Sequence, residues 1–302
     1  MLKTKLLLIF TFFSFLLITP SGAQNSVVSK KIDMLDSLLY SYRGKKAIPI
    51  IDSLIHNITL TKQELLRIKV LKVEGLVQIE EYKNALLLSN KLLGNELLKD
   101  ELLIKLHIER ALLFEITNDL EKSRKSLNFV AKYYQNYPSK KDELYGEYLF
   151  RVSSLNRISG ALGEALKYAE EAEAYGKENN FSNVEATALM LISGLKYADN
   201  PLENIRCTRR ALYLYKKDKN YAHMSFMYYS LAHFEIRQKE YNKAHKYLDS
   251  AIYSSSIAQA FIYPDLHKLK ADLYEKNGDF KDALLSHKNF KKVSDSVVVD
   301  KQ

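Results

Sequence analysis

The chain has 302 residues and a formal charge of +9, with 47% apolar and 27% charged residues. Only 10 Gly, 5 Pro and a single Cys, Cys207, leave no material for long flexible linkers, an internal disulfide or a four-thiolate metal site. The positive excess is mild and spread along the chain, which suits loose attraction to an anionic surface better than a dedicated nucleic-acid site.

Residues 1–5 carry Lys3 and Lys5, residues 6–19 are almost purely apolar, and Pro20, Ser21, Gly22 and Ala23 follow. A charged, apolar, small-residue series of this kind reads as a secretory leader cleaved before Gln24, with retention as an anchor as the alternative. The apolar run has 14 residues, short for a helix that must cross roughly 30 Å of hydrocarbon. No Cys follows it for lipid attachment, and no later segment is apolar enough to span a membrane. The expected division is therefore a leader over 1–23 and an exported domain over 24–302, periplasmic or secreted.

Beyond the leader, helical spacing predicts fourteen helices: 27–42, 46–57, 61–80, 82–93, 97–117, 119–136, 140–158, 161–178, 182–197, 201–217, 219–238, 241–256, 260–276 and 280–298. Pro49 is expected only in a first helical turn, and Pro201 stands where a bulky residue should plug the fifth pair. Near the end Leu266, Leu269 and Leu273 make one helix face. Asn277, Gly278 and Asp279 break it, and Phe280, Ala283, Leu284 and His287 begin another. No run alternates like a strand.

A rhythm runs through these elements. Ala47, Ala85, Ser123, Ala165, Asn204, Ala244 and Ala283 follow one another at steps of 38, 38, 42, 39, 40 and 39. A near-constant period of this size means stacked copies of one helix pair. Two antiparallel helices approach to about 8–10 Å only where the crossing residues are small. A small residue of each first helix should therefore meet one twelve positions later in the second.

Ala271, Tyr274, Phe280 and Ala283 resemble the tetratricopeptide repeat, as do Ala232, Tyr241, Ala244, Leu248 and Ala251, and Ala111, Phe114, Leu120, Ser123 and Leu127. Weaker matches are Val73, Tyr82 and Ala85, and Ser153, Leu162, Ala165, Ala169 and Ala172. The resemblance spans about residues 30 to 295. It implies an all-α, right-handed solenoid of about seven antiparallel helix pairs. The step near 39 exceeds the usual 34 and implies longer helices. The unit around Ile192 and Asn204 fits worst.

No chemistry-bearing constellation accompanies the repeat. The seven His never pair at helical spacing, and no Gly-rich phosphate loop or nucleophile elbow occurs. The reading is a non-enzymatic chain with no catalytic residues, cofactor or metal. Glu170, Glu171 and Glu173 read as a solvated face, and Arg206, Arg209 and Arg210 as an outer basic patch. The many tyrosines read chiefly as packing.

In such solenoids partners bind the concave side, lined by the first helices. Carrying over the family's groove positions gives Arg151, Arg157, Lys196, Tyr197, Tyr229, His233 and Arg237. Basic and aromatic groups there would suit a protein or peptide partner, an acidic or carboxylate-ended peptide in particular. The family's chaperone-binding Lys and Asn constellation is not found. A leader, extended repeats and an ending like KNFKKVSDSV are also similar to the exported sensory part of bacterial membrane regulators. That similarity implies a sensor whose output domain lies elsewhere.

Overall fold

The computed structural model describes residues 21–258 and 263–299. Among the described residues there are fourteen α-helices and no strand. They are α1 (Ser21–Tyr40), α2 (Gly44–Asn57), α3 (Lys62–Gln78), α4 (Tyr82–Leu93), α5 (Asp100–Ile116), α6 (Leu120–Asn136) and α7 (Glu143–Ile158). Then follow α8 (Leu162–Glu178), α9 (Ser182–Lys196), α10 (Pro201–Lys217), α11 (Tyr221–Arg237), α12 (Tyr241–Ala258), α13 (Tyr263–Asn277) and α14 (Phe280–Val299). All but the first start within three residues of the positions expected from sequence. The start of α7 is displaced because Pro138–Lys140 forms a separate 3-10 turn. The expected leader lies, except for its last three residues, outside the described residues. Among the described residues no helix is long and apolar enough to cross a membrane.

The helices pack in consecutive pairs, and the odd-numbered ones also touch each other: α1 on α3, α3 on α5, α5 on α7 and α7 on α9. This builds a two-layer, right-handed solenoid with first helices inside. Burial follows the expected crossings, although the first two pairs put Leu35 and Val73 where a small first-helix residue was expected. Leu35 and Ala47, Val73 and Ala85, Ala111 and Ser123, Ser153 and Ala165, Ala232 and Ala244, and Ala271 and Ala283 are each at most 2% exposed. At one crossing the Ser153 hydroxyl donates to the Ala165 carbonyl at 2.7 Å. The fifth crossing departs: Asn204 is half-buried and its amide donates to the Ser193 carbonyl at 3.4 Å. Pro201 there occupies the first position of α10, capped by Asn200.

One turn recurs between first and second helices. In six of the seven pairs the residue five before the small one has a positive φ: Tyr42 (59°), Glu80 (65°), Asn118 (59°), Gly160 (80°), Lys239 (62°) and Gly278 (81°). The next amide reaches back to the helix it leaves, as Glu81 N–H does to Leu76, Asp119 to Phe114 and Glu240 to Glu235. This closing motif satisfies carbonyls that a helix end otherwise leaves free. Only two of the six residues are glycine, so the others hold a strained backbone for the sake of the turn.

Pro49 corrects an expectation. It is the sixth residue of α2, past the first turn. It has no amide to offer the Lys45 carbonyl, and Lys45 lies on the exposed side of the helix.

Arg209 and Arg210 are more than a solvated patch. From α10, Arg210 reaches Glu185 of α9 at 2.9 Å and Arg209 reaches Glu235 of α11 at 3.9 Å. Both glutamates are buried, so this second helix ties together the two first helices that flank it.

Close packing predicts opposite outcomes at two helical glycines. A Cβ at Gly176 would lie 2.6 Å from the Glu185 backbone nitrogen, whereas one at Gly194 would meet nothing within 4 Å. Gly176→Ala should cost about 1–3 kcal/mol, and Gly194→Ala should gain about 0.5–1 kcal/mol. Urea unfolding of both variants checks the pair; a neutral Gly176→Ala would contradict the tight α8–α9 approach.

Candidate functional site

The inner layer carries charge where a helix bundle usually carries apolar side chains. Lys105 and Glu109 of α5 sit four residues apart, as do Glu147 and Arg151 of α7. The two couples are offset by 42 residues, the same step that separates Ser123 from Ala165. They therefore occupy one register on neighbouring first helices with the signs reversed, Lys105 toward Glu147 and Glu109 toward Arg151. From α3, Glu74 meets the Lys105 ammonium at 2.8 Å. From α1, Asp36 pairs with Arg67 of α3 and stands 4.0 Å from Lys105.

Four of these groups border a cavity of about 240 Å³ on the concave side. Its charged walls are Glu74, Glu109, Glu147 and Arg151, and its apolar walls include Leu39, Val77, Leu112, Phe150 and Val184. Gln78, Asn183 and Asn220 add amides, and Tyr42 and His223 add rings. Among the described residues Glu109, Glu147 and Arg151 make no ion pair within 4 Å; the Arg151 guanidinium lies 5.0 Å over the Phe150 ring. Gln78 Nε2 donates to the Leu39 carbonyl at 2.8 Å, while its Oε1 is shielded from water and accepts nothing among the described residues.

The first pair closes this space. The Tyr40 hydroxyl lies 3.2 Å from Glu143 of α7 and 3.0 Å from Asp218 at the end of α10. Tyr42, in the turn after α1, sets its ring edge-on to His223 of α11, with centroids 5.1 Å apart. The start of the solenoid thus meets its sixth pair across the channel. Tyr42 is a bulky side chain on a left-handed backbone, a conformation that persists only when its surroundings enforce it. It still keeps 38% of its surface open, to the cavity it borders.

Enclosure sets the protonation states. Burial, reinforced by Glu74 and opposed by Arg151 and Lys105, pushes Glu109 up to about 8. Burial pushes Glu147 up to about 7 against the pull of Lys105, with Glu74 and Glu143 adding to the rise. Burial acts to lower Lys105, but Glu74, Glu147 and Asp36 outweigh it and hold its proton above the ordinary range. His223 is pushed down to about 4 by burial and by Arg151. The Tyr40 and Tyr42 hydroxyls are raised, chiefly by burial.

The residues expected from sequence divide into groups. Arg151 alone lines the cavity. Tyr229, His233 and Arg237 share one face of α11, with the Tyr229 and His233 rings 4.5 Å apart, and Tyr229 also packs against the core of the last pairs. Arg157 is exposed at the end of α7. Lys196, at the end of α9, pairs with Glu170 of α8 at 2.6 Å and lies 5.9 Å from the Tyr197 ring. Glu74, Lys105, Glu109 and Glu147 were not anticipated. The signal was present in the two four-residue charge couples at the repeat step.

Among the described residues one group, Asp272, Glu275 and His287, brings ligand-type atoms within 4.8 Å of each other. A direct contact of 2.9 Å between His287 and Glu275 accounts for it.

No protein-family model matches the chain, and no curated protein matches it. Solved structures do resemble it. A Rap protein crystallised in complex with Competence and Sporulation Factor is 13% identical, with a TM-score of 0.60 over 91% of this chain and 78% of that one. Aspartyl phosphate phosphatase F from Bacillus subtilis is 16% identical, with a TM-score of 0.52 over 93% and 76%. BtubC from P. vanneervenii is 14% identical, with a TM-score of 0.53 over 76% and 91%. At this identity the likeness concerns the fold, which is the tetratricopeptide-like solenoid the residue pattern implied.

The raised Glu109 carboxyl gives a pH prediction. Its proton is retained on folding, so its contribution is intact below the ordinary pKa of 4.5 and is lost as pH rises through about 8. Glu109→Gln should melt like the parent at pH 4. At pH 9 it should be more stable by on the order of 2 kcal/mol, after allowing for water in the cavity. Equal melting at both pH values would rule out the enclosed carboxylate described here.

Proposed function

We propose that the protein is an exported, non-enzymatic scaffold that holds a protein or peptide segment in its concave channel. The observation that carries this reading is the placement of Glu109, Glu147 and Arg151 in a cavity without ion-pair partners of their own. Isolated enclosed charges cost stability. A site that retains them is built for a ligand that completes them. The fold supports the reading, since first-helix concave faces are where such solenoids hold partners. The structurally similar Rap protein, solved with Competence and Sporulation Factor, gives an instance of a bound partner on this architecture. The first 23 residues support export.

Selection of a random heptapeptide library against the purified protein tests the channel. Leu112 lines the cavity, and Leu112→Trp should fill it. Peptides selected on the parent should lose at least tenfold in affinity for Leu112→Trp, with circular dichroism still helical. Selected peptides that bind the variant equally well would place recognition elsewhere. Tyr229→Ala with Arg237→Ala is the matching test of the α11 face, where an acidic peptide would find its cation.

A second reading, the sensory part of a signalling protein, draws on the closure of the channel by Tyr40 and Tyr42. A ligand entering between the first and sixth pairs would change the coil of the solenoid, and the Tyr40 hydroxyl holds two carboxylates there. Tyr40→Phe removes the single hydroxyl proton that the two carboxylates share, at a cost of about 1–3 kcal/mol. It should enlarge the radius of gyration in solution scattering; an unchanged value would mean that this contact does not govern the shape.

A further inference from the structure

The charge inside the channel opposes the charge of the chain. The protein as a whole is +9, yet the cavity wall sets three carboxylates, Glu74, Glu109 and Glu147, against one guanidinium, Arg151. Lys105 stands behind this wall and is already bonded to Glu74. Glu143 and Asp218, at the rim, receive only the neutral Tyr40 hydroxyl from the first pair. The enclosed space is therefore one positive charge or more short of balance.

Resting on the reading of the channel as a peptide-binding surface, we propose that the cavity is a subsite for an ammonium or guanidinium group on an alkyl stem, a lysine or arginine side chain of the bound segment, seated between Glu109 and Glu147. Two features of the wall fit that chemistry. The carboxylates of Glu109 and Glu147 lack counter-ions within 4 Å among the described residues, and so offer charge-assisted acceptors. An ammonium or guanidinium brings several N–H donors to those carboxylates, while an anion brings none. Leu39, Val77, Leu112 and Phe150 supply an apolar sleeve for the stem. The volume of about 240 Å³ falls below the ~300 Å³ where sites for whole drug-sized ligands begin, so it suits one side chain rather than a folded segment. A negative ligand group would face three carboxylates at close quarters. The raised protonation of Glu109 and Glu147 agrees with this: the empty site meets its charge deficit with protons, which an entering cation replaces.

The same chemistry could arrive as a free amine, so the experiment has two arms. In the first, heptapeptides selected on the parent are resynthesised with each lysine replaced by norleucine and each arginine by citrulline, and binding is measured by titration calorimetry. The expected result is enrichment of Lys or Arg at one peptide position, a loss of at least tenfold on its replacement, and little discrimination by Glu109→Gln or Glu147→Gln. In the second, agmatine and cadaverine are titrated alone. Weak binding that disappears in both Gln variants supports the subsite and identifies a small amine as sufficient. Selected peptides that depend on Leu112 but show no preference for Lys or Arg would leave the scaffold standing and overturn the cationic subsite. Failure to select any peptide would remove the scaffold reading. If agmatine and cadaverine also fail to bind, the subsite falls with it.

Discussion

The close crossing of two helices inside each pair is the constraint on which the molecule rests. An alanine or serine at the contact brings backbones together, and the bulkier residues on either side are then free to face the next pair. At six of the seven crossings both partners are almost wholly enclosed. Because no pair can cover its own apolar side, each leans on the next, and the hydrophobic core is a chain of local clusters rather than one centre. The fifth crossing, with Ile192 and Asn204, shows what happens when the small residue is missing. A side-chain amide caps a carbonyl across the contact, and Arg209 and Arg210 add ion pairs to the flanking helices.

The turn between helices matters as much as the crossing. Its left-handed residue sets the angle at which each second helix returns, and the chain accepts Glu, Lys, Asn and even Tyr there. At Tyr42 the strain has a consequence for the site. The turn aims an aromatic ring into the channel, where it meets His223 from a pair far along the chain. Curvature accumulated over five pairs brings those two rings together. The enclosure that shifts Glu109, Glu147 and His223 is thus a product of the superhelix and of no single unit.

The charged inner face has a similar logic. Lys105 with Glu109, and Glu147 with Arg151, are ordinary four-residue couples that on an isolated helix would interact along its own surface. Registered on adjacent first helices with their signs reversed, they become a lattice across helices, and the surplus carboxylate has no partner. Sequence reading selected Arg151 as a groove residue and passed over the carboxylates around it, since charge runs on a helix are most often solvated. It also gave weight to Lys196 and Arg157, which the fold leaves at exposed helix ends, away from the cavity.

The amino-acid sequence by itself determined the helices, their pairing and the positions of the crossings. All of these follow from local spacing and from the size of one residue in about every 39. It also determined that no common catalytic or metal motif is present. Tertiary structure alone decided which faces look inward, where Pro49 is tolerated, and which charges are enclosed. Those outcomes depend on the pitch of the superhelix, a sum of small rotations between pairs that no short stretch of sequence encodes. The closure by Tyr40 and Tyr42, and the carboxylate excess it encloses, exist only once that sum is made.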